Sequence, residues 1–419
     1  MLATGSHLLE GLLAGERGYQ GPRIDCGAGH QAVFVDYRAK QVDTVVGHME
    51  LQRAYYHCAQ CGAGLAPRDE QLGVAGVSLS PGLAQMASLA GSQLPFVPAT
   101  DLVGELAGIE LDVRRLERGA ESAGELARQA SAAETAAICA RTLIPVRPPA
   151  PLPDKLYVEV DGTGVPVRPA ETTGRAGKGD DGQARTREVK IGRIFTQSGL
   201  DAKDRPAIDT GSSSYVHTFD GIETFTGQVR AEFTRRGGPH FRQAIFLGDG
   251  AKWIWGLATA VYPQATQIVD LYHAREHLAG LAEHLAFILD DKQAWLNERN
   301  DDLDNGDIDA IVTAARAYPL AGVKAGDLDT KLGYFTRNAH RMRYKDFRDL
   351  DLFVGSGAIE ASCKSIVGHR LKQSGMHWTV DGADSILALR CQHASGRWNQ
   401  LWPHLTTSTT SPAPLRATS

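Results

Sequence analysis

Three acidic residues draw attention through what surrounds them. Asp161 follows the apolar alternation "KLYVEV" and leads into Gly-Thr-Gly, Asp249 ends "QAIFLGDG", and Glu360 sits in the first turn of a helix opening on "VGSGA". An Asp before Gly often serves only to terminate a strand, because its short carboxylate caps the turn. Two such strands side by side would instead place two carboxylates close together at the strand tips. Like charges that close repel, so the pair is tolerable mainly around a divalent cation. An oxygen-only donor set selects Mg²⁺, with Mn²⁺ able to substitute. Glu360 as a third carboxylate would complete a two-metal centre for phosphoryl transfer. The competing role for Glu360 is a helix-surface pair with Lys364, four residues on.

A second constellation lies near the N-terminus. Cys58-x-x-Cys61 is a zinc half-site, and Cys26 and His30 of "CGAGH" precede it at a workable distance. A structural zinc takes four ligands, mostly Cys and His, in tetrahedral geometry. Cys26, His30, Cys58 and Cys61 therefore form the expected set, with His48 and His57 as substitutes for His30, and reduced thiols in a small β domain as the alternative. Cys139, Cys363 and Cys391 have no partners in sequence and are expected to be packing residues. A third motif, His273-Ala-Arg-Glu276-His277, spells H-x-x-E-H, in which two histidines on one helical face hold zinc and the glutamate acts as base in a peptidase. The same stretch also reads as an amphipathic helix burying Leu278, Leu281, Leu285 and Ile288.

The elements needed to hold these residues can be read from periodicity. Residues 24–66 alternate as short strands with a turn at Gly47-His48, giving a zinc-ribbon-like module over 1–75. Residues 76–143 turn helical, and Gly108 between two apolar stretches suggests a helix-turn-helix whose second helix carries Arg114, Arg115 and Arg118. Its alternative is a plain helical hairpin. The proline-rich run 144–154 marks the main boundary. Beyond it, strands are expected at Leu156–Val160, in "TREVKIGRIFTQ", "SSYVHTFDG", "QAIFLGDG" and "TQIVDLY", with helices at 224–236 and in "KWIWGLATAVYP". The order is three strands, helix, strand ending on Asp, helix, strand, and later a helix carrying Glu. That order matches an α/β, RNase H-like catalytic core, its first part at 155–272, a helical insertion at 273–350 and C-terminal helices at 351–402 around Gly375. "TTGRAGKGDDGQAR" is expected to be a mobile excursion, and the tail 403–419 is disordered by composition.

Bulk properties bound the function class. The chain has 419 residues, 42% hydrophobic and 22% charged, an ordinary soluble composition with room for two or three domains. No apolar run reaches the roughly 18 residues that a membrane span needs. The N-terminus lacks the pattern of a secretory signal, and the cysteine usage suits a reducing cytoplasm. The net charge of −5 does not favour nucleic acid, but the charge is segregated. Arg341, Arg343, Lys345 and Arg348 cluster against one acid; Lys364, Arg370 and Lys372 follow with none, and it is these last three that could meet a phosphate backbone.

Three stretches carry a resemblance. "DGTGVP" at Asp161, "LGDGAKWIW" at Asp249 and "GSGAIEASCKSIVGHRLKQSGMHW" at Glu360 resemble ISKra-type insertion-sequence transposases, and "RAYYHCAQCGAGLAPRDEQLGV" is similar to that family's N-terminal region. The likeness covers almost the whole chain. This is a DDE family, distantly similar to the Mutator-like transposases. The resemblance implies a transposase with Asp161, Asp249 and Glu360 as catalytic triad, Mg²⁺ as cofactor, and the helical stretch before Glu360 as an insertion. Mutator-like enzymes carry an Asp/Cys-x-x-His element after the fifth strand, which Asp270-Leu-Tyr-His273 matches. The expected partners are the DNA of transposon ends and target, with a homodimer or larger assembly joining two ends. A DNA-binding protein that has lost catalysis on the same fold is the remaining alternative.

Overall fold

The computed structural model describes residues 2–146, 151–177 and 182–407. Parts of the proline-rich run, of the glycine-rich excursion and most of the expected tail lie outside them. The chain divides into two compact units, one of Met1–Ala130 with Asp381–His393 and the chain from Arg397, the other of Ser131–Val380 with Ala394–Gly396.

The first unit opens with helix α1 (Leu2–Ala14), followed by an antiparallel sheet of β1 (Arg23–Asp25), β2 (Gln31–Thr44), β3 (Gly47–His57) and β4 (Gly64–Leu65). Thr44 pairs with Gly47, so the hairpin turns through Val45-Val46, two residues before the expected Gly47-His48, and Gly47 takes up the positive φ of 113° just after it. Helix α2 (Pro67–Gln71) presents the buried Asp69 to Lys40 at 3.0 Å and Arg53 at 2.7 Å, tying α2 to the long hairpin. Three helices follow, α3 (Pro81–Gln93), α4 (Phe96–Ala107) and α5 (Val113–Cys139). Gly108 ends α4 in the left-handed conformation (φ 67°) that a residue without Cβ adopts most readily. The inward face of α4 is made by its smaller residues. Ala99 and Val103 are buried with Ile109, Leu111 and Leu116, while Leu102 and Leu106 are 40% and 79% exposed. The smaller side chains let α4 lie close to α3.

The second unit is mixed α/β, built on a five-stranded sheet. Its strands are β5 (Lys155–Pro166), β6 (Thr186–Gln197), β9 (Ser214–Thr218), β10 (Gln243–Gly248) and β11 (Thr266–Val269), with a small ribbon of β7 (Gly199–Leu200) and β8 (Pro206–Ala207) to one side. The order is β11-β10-β5-β6-β9; β5, β10 and β11 run parallel, and β5, β6 and β9 form an antiparallel meander. Both faces of β5 are covered, which explains its near-continuous apolar run. Val160 and Gly192 face α6 (Ile222–Arg235), where a Cβ on Gly192 would meet Val216 at 3.0 Å and Phe225 at 3.4 Å. Tyr157 lies on the opposite face, stacked on Phe195 at 5.0 Å with Phe353 edge-on.

Helix α7 (Lys252–Val261) crosses between β10 and β11. The helical stretch after β11 comprises α8 (Leu271–Leu285), α9 (Lys292–Asn305), α10 (Ile308–Arg316), α11 (Val323–Asn338) and α12 (Tyr344–Asp349). The chain then returns to the sheet through α13 (Gly357–Ser362), a π-helical turn over Cys363–Gly368, and α14 (His369–Leu371). Helices α15 (Val380–Ala394) and α16 (Trp398–Thr407) complete the chain.

The sequence places 351–402 in the sheet unit, with the boundary at the proline-rich run. The structure corrects both points: Asp381–His393 groups with the first unit, and the division falls inside α5. The cause is a close helix crossing and a buried arginine. Arg390 donates to the Ser92 carbonyl at 2.6 Å, and a Cβ on Gly124 would lie 2.2 Å from the Ser385 carbonyl oxygen. Gly→Ala inside a helix ordinarily stabilises by about 1 kcal/mol. Here Gly124→Ala is expected to lower the denaturation midpoint of the first unit, reversing the usual sign; an unchanged or raised midpoint would show that α15 does not pack there.

Candidate active site and metal centre

Asp161 does not sit at a strand tip. Strand β5 continues through Gly162, Thr163 and Gly164, which pair with Lys190, Val189 and Glu188 of β6. At Gly162 the chain does not turn, and a Cβ there would meet only the movable carboxylate of Glu188, at 2.7 Å. On its other side β5 loses its neighbour, since β10 ends at Gly248. The two strands pair as far as Leu247↔Glu159, so Asp161, two residues further along β5, and Asp249, one residue past the end of β10, both follow the carboxyl end of the paired run. Asp249 is fixed by the Ala251 N–H on its carboxylate (2.8 Å) and by the Tyr334 hydroxyl on its carbonyl (3.0 Å).

Glu360 comes from α13, which packs on β5 and β6. Arg193, opposite Glu159 on β6, moors this helix: Nη1 donates to the Ala358 carbonyl at 2.9 Å, and Nε and Nη2 hold Ser213 Oγ at 3.1 and 2.9 Å. Among the described residues no ion pair joins Glu360 to Lys364. The π-helical turn after α13 carries one extra residue per turn, a feature frequent at functional sites. It brings Cys363 Sγ to 3.3 Å from Asp161 Oδ2, and Lys372 Nζ onto Thr163 Oγ1. Cys363 therefore does more than pack, and burial beside Asp161 pushes its thiol well above the ordinary range. Burial lowers the pKa of Lys372, with the Cys363 thiol and the Asp161 carboxylate acting against it.

Asp270 is fully buried at the carboxyl end of β11. Its carboxylate accepts from the His273 N–H at 2.7 Å, capping α8, and from the Ser356 N–H, fastening the lead-in of α13. Burial works against its charge, yet the hydrogen bonds from His273 and Ser356 keep its pKa below the usual value. Its hydrogen bond to His273 Nδ1, at 3.1 Å, raises that imidazole to about 9. Asp270, His273 and Glu360 offer ligand atoms within 4.8 Å of one another and could hold a metal. Asp161 and Asp249 do not join a three-ligand group of that spacing with Glu360; they border it, Asp161 through Cys363 and Asp249 through its field on His273.

Beneath the acids lies a residue that sequence reasoning passed over. Glu159, on the same face as Asp161, is fully buried, and neither carboxyl oxygen has a hydrogen-bond partner. Desolvation raises its pKa to about 8, opposed by the charge of Arg193 and by the nearby Ile359 N–H and reinforced by Asp270. The period-two spacing of Glu159 from Asp161 was visible in the sequence, whereas its facing Arg193 required the strand register. Arg193→Gln removes charged donors from Ala358 and Ser213, and hydrogen bonds to charged groups contribute about 1.5–3 kcal/mol each. The expected loss in chemical denaturation is about 3 kcal/mol; unchanged stability would mean that α13 is held otherwise.

The H-x-x-E-H arrangement is not assembled. The His277 ring stacks on Tyr334 at 3.6 Å, and among the described residues the groups that converge with His273 are Asp270 and Glu360. Arg370 is another correction. It is fully buried, with its guanidinium 4.8 Å from the Trp378 ring, so it does not face a DNA backbone. Lys364 and Lys372 remain at the surface. In the first unit Arg114 and Arg118 are exposed, while Arg115 is engaged by Asp43 at 2.6 Å and by Ser78.

The cysteine site assembles with His30 as its fourth member. Cys26, His30, Cys58 and Cys61 bring their ligand atoms within 4.8 Å of one another and could bind zinc. Cys26 and Cys61 sulfurs lie 3.7 Å apart. Zinc–sulfur bonds of about 2.3 Å in a tetrahedron set sulfurs about 3.8 Å apart. His30 Nδ1 is buried with no partner, and the Cys61 N–H, reinforced by the neighbouring thiols, lowers the Cys58 pKa to about 7. His48 is instead engaged by Asp43 at 2.6 Å.

Among the described residues no helix is long and apolar enough to cross a membrane. No protein-family model matches this chain, and no curated protein is similar to it.

Proposed function

We propose that this chain is a DDE transposase of the ISKra-like kind, cutting and joining DNA at transposon ends, and that its second unit is an RNase H-like catalytic core. The observation that carries this reading is the sheet: three antiparallel strands, then two parallel ones added on the other side of β5, with Asp161 on β5 and Asp249 just past the end of the adjacent parallel β10. Glu360 lies on a helix against the same strands. A peptidase gives no role to that pairing.

Asp161, Asp249 and Glu360 would hold the metal. Two Mg²⁺ ions bound there supply an activated nucleophile, water or a 3′-hydroxyl, and stabilisation of the leaving oxygen for in-line attack on a phosphodiester. The chain's own part is placement. Arg193 and Asp270 hold the α13 segment, so Glu360 is presented from a fixed helix. The Cys363 thiol donates to Asp161 Oδ2 and orients that carboxylate. Lys372 beside Thr163, and His273 kept cationic by Asp270, offer positive charge to a phosphate brought to the acids. The zinc-binding sheet and the helices bearing Arg114 and Arg118 would recognise the terminal repeats, and a homodimer in the cytoplasm would bring two ends together. The test is Mg²⁺-dependent cleavage of duplex DNA carrying the element's ends, with casein as control. Cleaved DNA and intact casein are expected; the reverse would establish the peptidase.

A further inference from the structure

At the opposite end of the sheet from the acids, a surface cavity of about 360 Å³ opens beside the start of β11. Thr266, Gln267, His340, Arg341 and Arg343 are among the residues lining it. None of the described residues lining it is acidic. Arg341 is held in place by neutral groups: Nε donates to Gln267 Oε1 at 2.8 Å, Nη1 to Asn338 Oδ1 at 3.1 Å, and the guanidinium lies 4.6 Å from the Trp255 ring. Its charge is thus positioned without being neutralised. The carboxylate paired with Arg343 is Asp346 at 3.7 Å, with both side chains about 60% exposed, a pairing too solvated to cancel the charge. Burial and the two arginines together favour the neutral form of His340, as expected where positive potential is uncompensated.

We infer that this cavity is a phosphate site that takes a phosphodiester of the duplex DNA outside the cleavage point. A fixed guanidinium, a second more exposed one, a threonine hydroxyl and an amide are groups that contact phosphate oxygens and carry no base preference. Asp270 closes β11 at the other end, and a strand of four residues spans about 13 Å, so a backbone held here lies well away from the acids. The choice of DNA over a free phosphate rests on the function proposed above; the anion chemistry does not.

The test compares Arg343→Gln, the double variant Arg341→Gln/Arg343→Gln, and Lys345→Gln as a neighbouring control outside the cavity, all in full-length protein. DNA binding is measured against salt concentration, and inorganic phosphate binding by calorimetry. The slope of log K against log salt is expected to fall by about 1 in the single variant and about 2 in the double, with the control unmoved and cleavage at saturating DNA unchanged. Circular dichroism reports whether the double variant folds; if it does not, Arg343→Gln decides. An unchanged slope overturns the inference, including where the variants lose only inorganic phosphate binding, which would mark a free-phosphate site. Because binding is read without cleavage, a catalytically silent protein that shows the slope change upholds this inference while defeating the proposed activity.

Discussion

Asp161→Ala, Asp249→Ala and Glu360→Ala should each reduce Mg²⁺-dependent cleavage of element-end DNA by about a hundredfold or more, the scale of losing one group that stabilises transition-state charge. Binding to the same DNA should change little, because an acid removed from the centre also removes a repulsion toward phosphate. Asp270→Ala should behave differently. Asp270 caps α8 and fastens the Ser356 lead-in, so its loss should lower the stability of the second unit as well as the rate. A folded, fully stable and inactive Asp270→Ala protein would mean that Asp270 is a metal ligand in the centre, not its support. Cleavage retained in any of the first three variants removes that residue from the triad.

Removal of zinc should have the next largest effect, and it should be confined to the sheet of β1 to β4. Small zinc modules are commonly folded only with metal bound. Metal analysis should find about one zinc per chain. Chelation, or Cys58→Ser, should strip hydrogen-exchange protection from residues 23–65 while leaving β5 and β10 protected. The hairpin has few buried side chains near the cysteines: Ala32, Ala54 and Tyr56 are the main ones, too small a cluster to hold the knuckle alone. A folded sample without zinc, and with protection intact, would make these residues reduced thiols.

Much of the sheet was legible because β6 and β10 carry strand patterns bounded by turn residues. The position of Asp161 was harder. Its Gly-Thr-Gly sequel reads as a turn, but that stretch stays paired with Lys190, Val189 and Glu188 of β6, and cross-strand pairing leaves no local signature. Arg193 escaped notice for the same reason, since only the register sets it opposite Glu159. Cys363 looked like a packing residue until a π-helical turn, which no periodicity announces, aimed its thiol at Asp161. Arg370 shows the converse: its position in a basic run suggested a surface, and the indole of Trp378 explains its burial. The cysteine–histidine cluster was readable from type and spacing because four residues sufficed, and His30 joins it where His48 does not, being engaged by Asp43. The placement of α15 in the first unit depends on contacts with Ser92 and Gly124, more than 250 residues away in sequence, and no local pattern reports it.

The central claim is that Asp161, Asp249 and Glu360 together chelate the catalytic metal. The most direct measurement is anomalous diffraction from crystals of the protein grown with Mn²⁺ and end DNA. The account predicts manganese between Asp161 and Asp249, with Glu360 completing its ligands. Manganese held only by Asp270, His273 and Glu360, with Asp161 and Asp249 unliganded, would contradict it.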